Sequence, residues 1–303
     1  MLANRPEATP ARLSVLAAAL LFSTGGAAIK GTLLSGFAVA GLRSAVAAIA
    51  LLALLPGARR GFHWDLLPAA VAYAGTLVCF VTATKLTTSA AAIFLQSTAP
   101  VWVLLLAPLL LGERFLRSDL PYVVAVCVGL LLVFLGSHDA VATAPRPALG
   151  NLVALAAGLF YALLMVTLRK LARSGAAEDR SLPATVLGNV VAFAVCLPFL
   201  PPLPELTAAP PRDLAAIVYL GVVQIGVAYW LLTRGLRSLP ALEVSLLVLL
   251  EPVLNPLWTW LLHGERPGAL ASAGGTLMLG ALVVRSLRAR SIPSGSPTAP
   301  AAH

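Results

Sequence analysis

Two ionisable residues stand inside long apolar runs of the sequence: Glu251 lies about ten residues into one run and Arg43 about seven into another. An ionisable group at membrane depth costs roughly 2.5–3.5 kcal/mol on insertion scales and typically faces a cavity or a partner. Glu251 is a candidate for proton coupling or for binding an amine; the alternative is a carboxyl group hydrogen-bonded to a neighbouring helix beside Pro252. Arg43 is a candidate for a bidentate contact with a ligand carboxylate, and the alternatives are snorkelling or pairing with Glu251.

Amide and hydroxyl side chains form a second group of candidates. Gln96 and Ser97 come shortly before Pro100 in the middle of an apolar run, and Gln224 lies within another run. Because a proline inside a helix leaves a backbone carbonyl without its donor, polar neighbours can satisfy the freed groups or bind a ligand. Hydrogen bonds between helices are the alternative for both glutamines.

Aromatic residues make up only 7% of the chain, so their positions are informative. Phe22 in the first apolar run lies at the same depth as Phe160 and Tyr161, two consecutive residues of the sixth run. Tyr73 and Tyr229 lie inside two other runs. Rings at such depths are typical of a cavity that stacks against an apolar or aromatic side chain. Packing between helices or against lipid is the alternative for each of them.

Residue patterns typical of enzymes are missing from the sequence. It contains no His-Glu-x-x-His, no Gly-x-Ser-x-Gly and no Walker Gly-x-x-x-x-Gly-Lys motif. The four histidines are scattered over loops, run ends and the terminus, and the three cysteines suggest neither a disulfide nor a metal site. We therefore expect no catalytic residue, no metal and no cofactor.

The composition identifies the environment of these residues. Of the 303 residues, 59% are hydrophobic and 11% are charged, against about 25% charged residues in soluble domains. Basic residues outnumber acidic ones by 21 to 12, but they lie in short loops, which favours membrane orientation over nucleic-acid binding. The sequence predicts an all-α integral membrane protein in contact with the lipid bilayer.

Ten apolar runs are long enough to cross the roughly 30 Å hydrocarbon core as helices. They cover residues 12–32, 36–56, 66–85, 89–111, 119–137, 149–169, 183–201, 213–233, 241–262 and 268–286. With a cytoplasmic N-terminus, fifteen basic residues lie inside and five outside, so both termini are predicted to be cytoplasmic. We expect Lys30 and Lys85 to snorkel from external span ends, and Trp64, Trp258 and Trp260 to anchor helices at the interfaces.

A segment of the first half recurs in the second half. Residues 99–114, with Pro100 and Gly112, correspond to residues 251–266, with Pro252 and Gly264, 152 positions later. The Pro-to-Gly distance is twelve residues in both segments. The repeat suggests a duplicated unit of five spans. Because five is an odd number, the two copies have opposite orientations in the membrane. Inverted repeats of this kind are an architecture of transporters, with the substrate site between the halves.

Spans and repeats together predict the domain organisation. It comprises a cytoplasmic N-terminal segment (1–11), a first repeat of spans 1–5 (12–137), an external linker (138–148), a second repeat of spans 6–10 (149–287) and a disordered cytoplasmic tail (288–303).

These residues resemble the EamA branch of the drug/metabolite transporter superfamily over residues 12–287. The resemblance rests on three elements: the small and aromatic first span (18–26), the Pro100 span that ends in Leu-Gly-Glu (111–113), and the Glu-Pro-Val span (251–253) that ends in His-Gly-Glu (263–265). It implies a ten-helix fold with a central cavity and export of amino acids or other small metabolites, and the chain is most similar to bacterial aromatic amino acid exporters. The chain departs from the pattern at Ala99, the counterpart of Glu251, which argues against a symmetric two-carboxylate mechanism, and at His263, which replaces a more usual apolar residue.

The expected function is secondary transport across the bacterial inner (plasma) membrane. The resemblance implies export of amino acids, favouring aromatic or other hydrophobic ones, by alternating access through the cavity. The alternatives are efflux of other small metabolites or drugs and, from different classes, a membrane-embedded enzyme or a scaffold. The expected partners are a small-molecule substrate and lipid; proton coupling and downhill movement both stay open.

Overall fold

The structure, a computed structural model, describes residues 8–112, 119–136, 142–173, 180–236, 239, 244 and 247–290. These residues are almost entirely helical, and no β-strand is found among them. Several expectations from the sequence fall outside the described residues: Glu113 in the first repeat motif, most of the external linker, the first residues of the ninth span and the tail beyond position 290.

The described helices follow the apolar runs of the sequence. In chain order they are α1 (Ala8–Ser23), α2 (Gly25–Lys30), α3 (Gly36–Leu54), α4 (Leu67–Leu86), α5 (Ser89–Gln96), α6 (Ala99–Leu111), α7 (Leu120–Leu135), α8 (Pro147–Arg173), α9 (Ser181–Cys196), α10 (Leu203–Thr207), α11 (Pro211–Val218), a π-helical segment (Tyr219–Val227), α12 (Ala228–Leu236), α13 (Leu250–His263) and α14 (Ala269–Arg290). Short 3-10 turns at Pro56–Arg59, Trp64–Leu66 and Leu197–Phe199 complete the described elements.

Seven helical stretches in the described residues are long and apolar enough to cross a membrane. They are Thr9–Lys30, Gly36–Leu54, Trp64–Leu86, Ser89–Leu111, Pro147–Leu171, Ser181–Phe199 and Pro211–Gly235, and shorter apolar helices cover Leu120–Leu135 and Ala269–Arg285. Large apolar side chains such as Leu109 and Leu261 are 80% and 70% exposed, which suits a surface bathed in lipid rather than water. The chain is a multi-pass membrane protein.

Three of the long stretches are interrupted near their middle. The first turns at Thr24, between α1 and α2, and the fourth turns at Ser97 and Thr98, between α5 and α6. The seventh, Pro211–Gly235, passes through the π-helical segment before α12 begins. Interruptions of this kind free backbone groups inside the membrane and are frequent at functional sites.

The two glycines of the repeated motif end their helices in the same way. Gly112 caps α6 with φ 67°, and Gly264 caps α13 with φ 66°. Both conformations are left-handed, a region that glycine adopts without the steric cost borne by other residues. The sequence repeat therefore corresponds to a repeated local structure.

Helices from the two halves of the chain pack against each other in matching pairs. In one set α1 packs on α12 and α13, and in the other α8 packs on α4, α5 and α6. Two further contacts, α3 with α9 and α7 with α14, also join the halves. The α7–α14 contact is very close, because a Cβ built on Gly129 would lie only 2.7 Å from the carbonyl oxygen of Gly274.

Two expectations about span ends are wrong. Lys30 does not snorkel: its side chain is 5% exposed and forms an ion pair with Glu265, so its charge is compensated inside the protein. Trp258 is not a free interface anchor, since its indole Nε1 donates a hydrogen bond to Ser23 Oγ at 2.9 Å and so joins α13 to α1.

Candidate substrate cavity

A cavity of about 160 Å³ lies in the middle of the bundle, where helices of both halves meet. Eight of the ten residues singled out in the sequence line it: Phe22, Arg43, Tyr73, Gln96, Tyr161, Gln224, Tyr229 and Glu251. The volume is similar to the roughly 150 Å³ apolar cavity that accommodates a benzene ring in an engineered protein. It is smaller than the roughly 300–1,000 Å³ pockets typical of drug-sized ligands.

Ser97 and Phe160 do not line the cavity. Ser97 Oγ donates to the carbonyl oxygen of Ile93 at 2.8 Å, which also accepts from the backbone N–H of Ser97 at the end of α5. The ring of Phe160 packs against the backbone of Gly75 on α4, so close that a Cβ there would lie 2.5 Å from the ring. Ser97 therefore closes the end of its own helix, and Phe160 packs α8 against α4.

Seven further lining residues were not singled out in the sequence. They are Thr76, Leu77, Phe80, Leu164, Ile225, Leu232 and Val248. Six of the seven are apolar, and such residues in an apolar span carry no signal of which way they face. Tyr73 and Tyr161, which were singled out, sit about one helical turn before Leu77 and Leu164, so the helical period would have pointed to both leucines.

Arg43 is the most deeply buried cation of the cavity. It lies on α3 with 2% of its surface exposed, and its Nε and Nη1 atoms have no hydrogen-bond partner. It neither snorkels nor forms an ion pair with Glu251 or with any other acid in the described part of the chain. A buried guanidinium with unused donors is costly unless a ligand or water satisfies it.

Two phenol groups lie beside the guanidinium of Arg43. Tyr73 and Tyr229 lie close enough to Arg43 to interact with it electrostatically. Asn189 Nδ2 donates to the hydroxyl of Tyr73 at 3.3 Å, and the rings of Tyr229 and Phe22 meet edge to face, with centroids 5.4 Å apart and planes at 85°. The aromatic wall is therefore fixed by contacts from both halves.

Glu251 enters the cavity from the first turn of α13, next to the chain's turn at Leu249. Tyr161 and Tyr229 are its electrostatic neighbours. Within the described residues its carboxyl group has no hydrogen bond or ion pair, so the hydrogen-bonded interpretation of Glu251 is not seen there. The carboxyl group faces the cavity and is available to a ligand or a proton.

Two glutamines add unused acceptors to the same space. Gln224 Nε2 donates to the carbonyl oxygen of Phe22 at 3.2 Å, while its Oε1 has no partner. Gln96 Oε1, at the end of α5, also has none. The cavity thus combines unused donors on Arg43 with acceptors on Gln96, Gln224 and Glu251, between aromatic walls.

No group of three or more potential metal ligands occurs among the described residues.

Comparison with known proteins places this architecture in a family. The sequence matches the EamA-like transporter family over residues 9–135 and 148–287. A solved crystal structure of another protein aligns with a TM-score of 0.60 at 23% identity, covering 94% of this chain and 99% of that chain, and so shares the fold. No curated protein sequence matches the chain. The two matched regions span nearly all of the helical part, and the chain therefore belongs to the EamA-like transporter family of the drug/metabolite transporter superfamily.

Proposed function

We propose that this protein exports amino acids, favouring aromatic and other hydrophobic ones, by alternating access through the central cavity. Membership of the family makes it a membrane transporter of a small molecule. The observation that carries the choice of substrate is Arg43, a buried guanidinium with unused donors in the same cavity as Glu251.

The chemistry of the cavity fits a zwitterion. An α-amino acid carries a carboxylate and an ammonium group a few bonds apart, and it would bring a partner for Arg43 and a partner for Glu251 together. Its side chain would then contact the rings of Phe22, Tyr73 and Tyr229. Charge-assisted hydrogen bonds supply specificity, and the aromatic contacts favour a ring or another apolar group.

Cavity size supports an amino acid over a drug. A space of about 160 Å³ suits an aromatic ring, whereas larger amphipathic drugs need more room than this conformation provides. Efflux of other small metabolites is the second candidate, because the same polar groups would also bind a small carboxylic acid that lacks an amine.

The proposed architecture is ten spans in two inverted repeats, with the domain boundaries given above. Three features support it: the 152-residue offset between the repeated motifs, the matching left-handed caps at Gly112 and Gly264, and the paired contacts between the halves. Exchanging the halves turns the contact of α1 with α12 and α13 into that of α8 with α4 and α6. Two such halves can exchange conformations, which exposes one central site to each side in turn.

We further propose that the protein resides in a bacterial inner membrane with both termini in the cytoplasm. The support is the distribution of basic residues, fifteen on the proposed inner side against five on the outer side. In this orientation α2, the start of α5 and the α13–α14 turn lie at the external end.

Glu251 is the proposed proton-coupling residue, and downhill movement is the alternative. Proteoliposomes loaded with labelled phenylalanine test substrate and coupling together, when efflux is followed with and without a pH gradient. We expect faster efflux of phenylalanine than from protein-free liposomes loaded in the same way. Movement of a cationic dye without movement of phenylalanine would contradict the amino acid proposal.

A further inference from the structure

A buried ion pair lies at the proposed external end of the bundle, well away from the residues that line the cavity. Lys30 Nζ and Glu265 Oε2 are 3.0 Å apart, and their side chains are 5% and 3% exposed. Lys30 ends α2, and Glu265 follows Gly264, the glycine that caps α13. The pair therefore joins the end of the first span to the turn between the last two helices.

The pair also fastens two other segments. Lys30 Nζ donates to the carbonyl oxygen of Thr87 at 2.7 Å and to that of Thr143. Glu265 Oε1 accepts from the backbone N–H of Ser89 at 2.6 Å. Four segments, distant in sequence, thus converge on two charges: α2, the loop between α4 and α5, the chain before α8, and the α13–α14 turn.

Two other charged residues, Lys85 and Asp213, hold the loop between α2 and α3 at the same end of the bundle. Lys85 Nζ donates to the carbonyl oxygen and the hydroxyl of Thr32, at 2.5 and 2.8 Å. Asp213, fully buried at the start of α11, accepts from the backbone N–H of Leu33 at 2.7 Å. The loop between α2 and α3 is therefore held to the third and eighth spans by charged side chains.

Beneath the ion pair the helices leave no space. Gly26 on α2 faces Ser89 on α5 and Asn255 on α13, and a Cβ on Gly26 would lie 3.0 Å from Asn255 Cγ. The hydroxyl of Ser89 bonds the side chain of Asn255. This contact lies between the ion pair and the cavity, so it separates the cavity from the external side.

We infer that the Lys30–Glu265 pair and the loops it ties together are the external gate of the cavity, closed in this structure; the inference rests on the alternating access proposed above. A buried ion pair adds little net stability, because desolvation offsets much of the attraction, and registering two alternative arrangements is a well-attested role for such groups. In the proposed orientation the pair lies at the external end of the bundle, where both charges regain water when they separate. Lys30 belongs to the first repeat and Glu265 to the second. A contact that breaks when the two halves move has to join the halves in this way.

The accessibility of a cysteine inside the cavity tests the gate. The reporter is Thr76→Cys, which lines the cavity, in a chain whose Cys79, Cys127 and Cys196 are replaced. A membrane-impermeant thiol reagent is added to the outside of intact cells. Lys30→Gln and Glu265→Gln are each expected to speed labelling by roughly tenfold or more, because loss of one partner leaves the other charge buried and unpaired.

Arg212→Gln is the matched control, since Arg212 is a cation at the same end whose side chain is 67% exposed. Its contact with Asp213 Oδ1 is long, at 3.7 Å, and Asp213 keeps its hydrogen bond from Leu33 without it, so labelling at the parent rate is expected. The doubly exchanged variant, Lys30→Glu with Glu265→Lys, should slow labelling again at least in part. Labelling at the parent rate in both single variants would overturn the inference.

A second measurement covers variants that fold poorly. In Lys30→Cys with Glu265→Cys, a short reducible bifunctional thiol reagent should stop transport and a reductant should restore it; undiminished transport after complete bridging contradicts the gate. The labelling test needs no substrate, so it stands if phenylalanine proves the wrong cargo. Faster labelling only from the cytoplasmic side would overturn the external placement of the gate.

Discussion

Arg43 has the most demanding environment of any residue in the cavity. It is 2% exposed, two of its nitrogen atoms have no partner, and in the described residues no acid neutralises it. A protein that needed only stability would replace such a residue with an apolar one. We interpret its presence as a requirement of ligand binding.

Replacing this guanidinium should weaken binding of carboxylates specifically. In Arg43→Gln we expect the KM for phenylalanine to rise roughly 10- to 100-fold, since a hydrogen bond to a charged group contributes about 1.5–3 kcal/mol. Inhibition by 2-phenylethylamine, which lacks the carboxylate, should change little. Arg234→Gln is the control, because Arg234 lies over the ring of Trp230 and not in the cavity; an equal loss there would contradict the role of Arg43.

Glu251 allows a separate test of coupling. Glu251→Gln keeps the shape of the side chain and removes its ability to take up and release a proton. We expect efflux of phenylalanine that no longer responds to an imposed pH gradient, while exchange of labelled for unlabelled substrate continues. Glu205→Gln in the short helix α10 should retain the response. If Glu251→Gln still responds to the gradient, Glu251 is not the proton site.

The sequence indicates how deep a residue lies along its span better than it indicates which way its side chain points. Eight of the ten residues chosen for their depth in apolar runs line one cavity. Phe160 and Tyr161 have nearly the same depth, but one residue rotates a helix by about 100°, and only Tyr161 reaches the cavity. The Lys30–Glu265 pair was missed because its members lie 235 positions apart, and nothing in an apolar pattern connects them.

At the scale of helices, the local sequence predicts the turns and caps better than it predicts how the helices pack against one another. Thr88 and Ser35 cap α5 and α3 by accepting from backbone N–H groups at 3.1 and 3.2 Å, as their residue types indicate. The π-helical segment carries no comparable signal, since Tyr219–Val227 is an apolar run like those that form the regular helices α3 and α9. Its geometry depends on contacts with α1 and α3, which only the folded structure provides.

The close contact between α7 and α14 leads to a prediction about stability. In Gly129→Ala the added Cβ would lie 2.7 Å from the carbonyl oxygen of Gly274, so the helices must separate, at a cost of about 1–3 kcal/mol. We expect a lower melting temperature in detergent. Gly280→Ala on α14 is the matched control: nothing lies within 4 Å of its Cβ position, and the melting temperature should stay the same or rise slightly. Equal effects of the two changes would contradict the packing argument.

At the scale of the whole molecule, the inverted arrangement predicts opposite locations for two equivalent turns. Positions 115 and 267 follow the two copies of the Gly-Glu-Arg motif, each after the fourth span of its own repeat. Reporter fusions or accessible tags should place 115 in the cytoplasm and 267 outside. Finding both on one face of the membrane would exclude two oppositely oriented repeats, and with them the proposed mode of transport.

The close contact of α7 and α14 also has a mechanical consequence. Where Gly129 and Gly274 face each other, the two backbones leave no room for a Cβ, and the side chains of Leu132, Val133 and Met278 pack around the contact. Two helices packed this tightly transmit force as one stiff unit. We expect the α7–α14 pair to stay nearly fixed during the transport cycle and displacement to grow with distance from it.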